Sequence, residues 1–101
     1  MSQEQVKNRV EPRFDLQPPP DYKVIYMNDD VTSFEFVTGS LVKTFNYGDE
    51  PAAEKAAEIH AEGSGVVAVL PFEEAEQKGV EVLLSARNQG YPLEVRLEQD
   101  Q

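Results

Sequence analysis

Asn28, Asp29 and Asp30, and separately His60, the chain's single histidine, are the residue types that could do chemistry; read alone, His60 is a surface or half-buried residue. The polar triplet directly follows Val24-Ile25-Tyr26-Met27, an apolar run rich in strand formers and too short for a helix of its own. Short polar side chains leave regular structure by bonding to nearby backbone. Thr32, with Glu35 three residues on, has the spacing of a capping box, and Phe34, Val37, Leu41 and Phe45 then recur at helical steps. The stretch from 21 to 37 therefore predicts a strand, an acidic turn and a capped helix. Three polar groups held rigidly at the end of a buried strand suit a small-ligand site. Asp29 and Asp30 also suit a plain turn ahead of a helix N-terminus, where the helix dipole favours negative charge. That simpler reading requires neither Asn28 nor His60.

Several chemistries lack their parts. A lone histidine without cysteine offers no structural zinc set. No G-x-S-x-G nucleophile turn occurs. Gly63-Ser64-Gly65 follows a helical stretch instead of preceding one, so it is no phosphate loop. Asp30 and His60 in one cleft could do acid–base work, but no nucleophile or metal accompanies them. The absence of cysteine also removes disulfides and thiol catalysis.

A chain of 101 residues fits one small domain. The net charge of −10 disfavours nucleic acid, which is bound by neutralising phosphates, and favours cationic partners such as a free amine. It also serves plain solubility. No apolar run approaches the roughly 18 residues of a membrane span. The first residues lack the apolar core of a signal peptide and carry Glu4, Glu11 and Asp15, so a cytoplasmic protein is expected, with no membrane and no nucleic acid among its partners.

Residues 1–20 read as a flexible N-terminal extension closed by the stiff run Pro18-Pro19-Pro20. Residues 21–101 read as the core domain. Strand one covers 22–27 and helix one runs from 33 to about 46, with Gly48 able to end it. Asp49 or Glu50 caps helix two, which runs to about 62 with Ala52 or Ala53, Ala56 and Ile59 inward. Glu50, Glu54, Glu58 and Glu62 form an acidic stripe. Val66–Leu70, continuously apolar and β-branched, reads as a central strand covered on one face by helices. Pro71 opens helix three, whose inward stripe is Phe72, Ala75, Gly79, Val82 or Leu83, and Ala86, ending near 89–90. The run from 93 to 98 alternates apolar and charged residues, a half-buried last strand. The expected fold is α+β, a three-stranded sheet with three helices packed on one face, in the order β-α-α-β-α-β.

YKVIYMNDDVTSFEFV resembles the start of the core in the ClpS family, adaptors of the Clp protease, which typically reads YKV, apolar residues, NDD and then TPMEFV. Three further markers follow in order: His60 shortly before the Gly-rich turn, the AExK pattern as Ala75-Glu76-Gln77-Lys78, and Pro92-Leu93 before the last strand. The resemblance covers roughly residues 20–98. It implies an antiparallel sheet and a fold similar to the C-terminal domain of the ribosomal stalk protein.

The same resemblance implies a non-enzymatic N-end rule adaptor needing no cofactor. It would bind N-degron substrates starting with Phe, Tyr, Trp or Leu and deliver them to the N-terminal domain of a ClpA- or ClpC-like AAA+ unfoldase. The positions matching the substrate pocket are Asn28, Asp29, Asp30, Thr32, Phe34, Val37, Ala56, Ile59 and His60, with Tyr26 near its floor. A primary ammonium has three donors, and an amide carbonyl, a carboxylate and a neutral imidazole nitrogen can accept them. Asn28, Asp30 and His60 are the expected direct partners, with Asp29 in support. Ser33 stands where the family usually has Pro, Phe34 where Met is usual, and Ala56 where Met is common. Glu73 and Lys78 match positions that contact the unfoldase; read alone, they are exposed helix charges. The alternative function is an interaction module of similar fold, such as a ribosome-associated domain, with no role in proteolysis.

Overall fold

The computed structural model describes residues 18–101; the expected extension up to residue 17 lies outside them. Six elements follow in order: β1 (Asp21–Met27), α1 (Phe34–Phe45), α2 (Asp49–Glu62), β2 (Ser64–Pro71), α3 (Phe72–Asn88) and β3 (Glu94–Gln99). The three strands form one antiparallel sheet ordered β2-β1-β3. The expected α+β class and element order are therefore what the chain adopts.

β1, the central strand, alternates cleanly. Val24 and Tyr26 are fully buried under the helices, whereas Lys23, Ile25 and Met27 are half-buried on the other face. Tyr26 carries a hydroxyl into this core, and burial pushes the phenol far above its ordinary pKa despite its bond to Ser40 Oγ at 2.6 Å. Phe45 packs edge-on against the Tyr26 ring. Leu41, Ala52, Val67, Ala75, Val82, Ala86 and Leu93 complete the core from the surrounding elements.

The reading of Val66–Leu70 as a central strand is corrected: β2 is an edge strand. Helices cover one of its faces, as expected, but the apolar outer face does not give it a second neighbouring strand. Gly65 and Val67 turn inward, while Val66 and Val69 face outward and are 37% and 44% exposed. Two features blunt this edge. Val67 is the extra residue of a bulge, lying between the pairs Val24–Ala68 and Ile25–Val66. Its carbonyl also accepts the Tyr47 hydroxyl at 2.8 Å.

The helix ends differ from expectation in three places. Ser33, not Thr32, caps α1, its Oγ accepting the Phe36 N–H at 3.0 Å; the Thr32 hydroxyl is already committed to Asp29. Asn46, not Gly48, closes α1, in the left-handed region at φ 62°, which asparagine tolerates better than most side chains. Gly48 occupies the N-cap of α2 without a side-chain bond, so Asp49 and Glu50 sit inside the first turn. Phe72 departs from the inward stripe of α3. It is 44% exposed and meets Tyr22 edge-on at 5.1 Å, while Val82 instead of Leu83 is the buried member of its turn.

Candidate functional site

The turn between β1 and α1 is locked by Asp29. Its Oδ1 accepts the backbone N–H groups of Val31 and Thr32, both at 2.7 Å, and its Oδ2 accepts the Thr32 hydroxyl at 2.7 Å. Burial, the largest single influence, pushes this carboxyl up. The three hydrogen bonds and the positive field of Arg87 together outweigh it and hold the carboxyl below its ordinary range. Asp29 is thus a brace, not a free acceptor. That role follows from an Asx-type turn and was only partly legible as a capping pattern.

Because the folded pKa is depressed, the linked stabilisation is complete above the unfolded value of about 3.9. It is lost as pH falls through the lower folded value. Asp29→Ala should destabilise the domain by on the order of 1.5 kcal/mol, the low end for charge-assisted bonds because the site is open to solvent. Ser33→Ala should cost about 1 kcal/mol. Urea titrations at pH 7 and pH 3 check this: the gap between wild type and Asp29→Asn should shrink at the lower pH.

With Asp29 occupied, the remaining polar groups face a cleft. The backbone N–H of Asn28 donates to the Gly63 carbonyl at 2.9 Å, pinning the end of β1 to the end of α2. Gly63 takes φ 94° to close α2, its N–H returning to the Ile59 carbonyl. This splice brings Asn28 beside His60 in the last turn of α2. Among the described residues, the side chains of Asn28, Asp30 and His60 are not engaged in hydrogen bonds with other side chains.

Asn28, Asp29, Asp30, Thr32, Phe34, Val37, Ala56, Ile59 and His60 line one cleft of about 360 Å³. Its rim is polar and its floor apolar: Val37, Ala56 and Ile59 are buried, whereas Phe34 at the mouth is 49% exposed. Tyr26, expected near the floor, is not among the lining residues. Its ring lies in the core beneath α1, and it reaches the cleft only through Ser40, whose hydroxyl donates to the Val37 carbonyl at 2.9 Å. A larger groove of about 760 Å³ runs between α1 and α3, floored by Phe36, Val82 and Tyr91.

Glu73 is exposed in the first turn of α3. Lys78 is half-buried, and its ammonium donates to the Thr44 carbonyl at 3.1 Å, favourable at the C-terminal end of α1. Among the described residues no cluster of His, Cys, Asp and Glu could hold a metal ion, and no helix is long and apolar enough to cross a membrane.

Fold and cleft define a class: a small α+β domain that presents a polar rim over an apolar floor at the end of its central strand. Residues 17–96 match the model of the family described as ATP-dependent Clp protease adaptor protein ClpS. The chain is 40% identical over 98 residues to the ATP-dependent Clp protease adapter protein ClpS of Sodalis glossinidius, covering 97% of this chain and 87% of that one. It is 38% identical over 95 residues to the namesake protein of Caulobacter vibrioides strain NA1000 / CB15N, covering 94% and 85%. The solved structure of Agrobacterium tumefaciens ClpS2 bound to L-phenylalaninamide superposes with a TM-score of 0.80 at 34% identity, covering 82% of this chain and all of that one. The chain belongs to the ClpS family, a family of protease adaptors.

Proposed function

We propose that this protein is a non-enzymatic, cytoplasmic adaptor whose cleft binds the free α-amine and bulky first side chain of an N-degron, with Phe, Tyr, Trp or Leu at position one. Residues 21–101 form the binding core, and residues 1–20 are an extension used in delivery to a Clp AAA+ unfoldase. The observation that carries the reading is the meeting of Asn28, Asp30 and His60 on the rim of a cleft whose floor is Val37, Ala56 and Ile59. The rim supplies acceptors for three ammonium donors, and the floor takes a hydrophobic side chain beside them. The likeness to ClpS2, solved with phenylalaninamide, supports the same ligand chemistry.

Asn28 and Asp30 come from one strand end, and His60 comes from the helix spliced to it by the Asn28–Gly63 bond. Their separation is therefore set by backbone, and little entropy is lost when a ligand arrives. Asp29 holds the turn and leaves amine contact to its neighbours. Glu73, with the exposed side of Lys78, is the proposed contact for the unfoldase N-terminal domain. The unfolding energy comes from the partner's ATP, so the adaptor itself requires no cofactor.

The test is binding of otherwise identical peptides that begin with Phe, Leu, Ile, Met and Ala. Strong binding of Phe and Leu with weak binding of Ala supports the reading; indifference to the first residue overturns it. Delivery is a separate step with its own measurement. Deleting residues 1–17 should leave peptide affinity unchanged, since these residues precede the elements that build the cleft. It should sharply slow degradation of an N-degron substrate by a purified Clp protease. Unchanged degradation would show the extension to be dispensable.

A further inference from the structure

Gly65 lies outside the cleft, yet it touches one of the cleft's walls. It is a buried residue of β2, paired with Tyr26 across the β1–β2 ladder. Its backbone does not require glycine, since the glycines at positive φ are Gly63 and Gly90. Space is what it provides. A Cβ at position 65 would lie 2.8 Å from Ile59 Cγ1, closer than such atoms approach, while Glu58 and Lys55 would stand at ordinary contact distances of 3.6 and 3.7 Å. Ile59 is therefore packed into the volume that any other residue at 65 would fill.

We propose that Gly65 sets the width of the apolar floor by giving Ile59 this space, and so sets the largest first side chain that the cleft takes. The proposal rests on the ligand reading above for the identity of that side chain. Ile59 is 3% exposed, lines the cleft and stands against Gly65, so a side chain pushed off β2 should be carried toward the cleft. The last turn of α2 resists lifting away as a unit, because Gly63 bonds back to Ile59 and also accepts the Asn28 N–H. The clashing atom, Cγ1, sits close to the backbone and cannot swing clear as the end of a long side chain would. The facing structure is also tied: the Val37 carbonyl accepts from Ser40, which is bonded to the buried Tyr26. Gly65 and Tyr26, cross-strand partners, thus anchor two of the cleft's walls from beneath.

The experiment compares peptides beginning with Trp and Leu on wild type, Gly65→Ala and Ile59→Val/Gly65→Ala, with thermal unfolding followed for each. A displaced methylene in an apolar pocket changes discrimination by about tenfold or more. Gly65→Ala should lower the Trp-to-Leu affinity ratio by about that factor, and the double variant should recover most of it, because Val lacks the Cδ1 that a displaced Ile59 pushes furthest inward. Equal loss for both peptides, or no recovery in the double variant, overturns the proposal. If Gly65→Ala does not fold, the double variant decides: folded with a ratio near that of wild type supports it, and unfolded, or folded with a ratio still about tenfold lower, overturns it. If wild type binds neither peptide, the ligand reading fails on its own. Wall displacement is then read from the nuclear Overhauser contact between Ile59 and Val37 methyls, which should strengthen in the alanine variant; an unchanged contact overturns the proposal.

Discussion

Acetylating the N-terminus of a Phe-starting peptide should weaken its binding by a factor of about 100 or more. Acetylation removes the positive charge and two of three donors while leaving the aromatic ring intact. Hydrogen bonds to a charged group are each worth roughly 1.5–3 kcal/mol, and about 1.4 kcal/mol is a factor of ten. Losing two such bonds therefore exceeds what the ring contributes through edge-to-face contact, roughly 0.5–1.5 kcal/mol beyond its area. On the proposed reading the amine decides whether a ligand binds, and the side chain decides which ligand binds best. The protein-side counterpart is His60→Ala, which removes one acceptor from the rim and should weaken free-amine peptides while leaving the acetylated one unchanged. Fluorescence anisotropy on the four combinations measures both effects and their coupling. Equal affinity for free and acetylated peptides would sink the amine reading, whatever the cleft's shape.

The strands and helices were legible because their patterns are periodic. Val24 and Tyr26 alternate as a half-covered strand must, and Val37 and Leu41 fall on one helical face. Misreadings arose where two physical arrangements share one pattern. Val66–Leu70 reads as a central strand, but apolar content says nothing of whether a strand has one neighbour or two, and a bulge with the Tyr47 hydroxyl makes an apolar edge tolerable. Thr32 and Ser33 are both good caps by type, and the choice between them depends on which hydroxyl Asp29 has already taken. Asn28, Asp30 and His60 were legible as a set only through family resemblance, because 32 positions separate the first from the last. What joins them is a backbone bond, Asn28 N–H to the Gly63 carbonyl, and backbone bonds leave no side-chain signature. Gly65 was invisible for a related reason. Its contribution is an empty volume, and nothing in its sequence position distinguishes it from a glycine needed for a turn. Tyr26 was placed near the floor of the cleft by the family resemblance; the strand's alternation puts it and Asn28 on the helix side, but the ring reaches under α1 while the amide remains at the edge.

Phe34→Ala should admit peptides beginning with Ile and Val, which the wild-type cleft should refuse. Phe34 opens α1 and stands at the mouth of the cleft, 49% exposed, whereas Ala56 at 4% belongs to the floor. Where relatives commonly carry Met at both positions, this chain adds about three heavy atoms at the mouth and removes about three below, a volume-conserving exchange of the kind packed sites tolerate. The space is thereby shifted inward. A ligand ring can pass the mouth edge-on and fill the floor, and its edge can meet the Phe34 face for roughly 0.5–1.5 kcal/mol. Aromatic first residues should therefore outrank Leu by about two- to tenfold. A β-branched side chain is widest next to the amine, at the level where the proposed rim would fix the ammonium, so its second branch should press on the Phe34 ring before its end reaches the floor. Truncating Phe34 removes both effects: Ile and Val gain, and the aromatic advantage over Leu shrinks toward unity. Ala56→Met acts at the other end, crowding the floor and penalising Trp most. Isothermal titration of Phe, Trp, Leu, Ile and Val peptides against both variants separates the two ends of the cleft. Continued exclusion of Ile and Val by Phe34→Ala would place the gate elsewhere, on Thr32 or on the α2 side of the mouth.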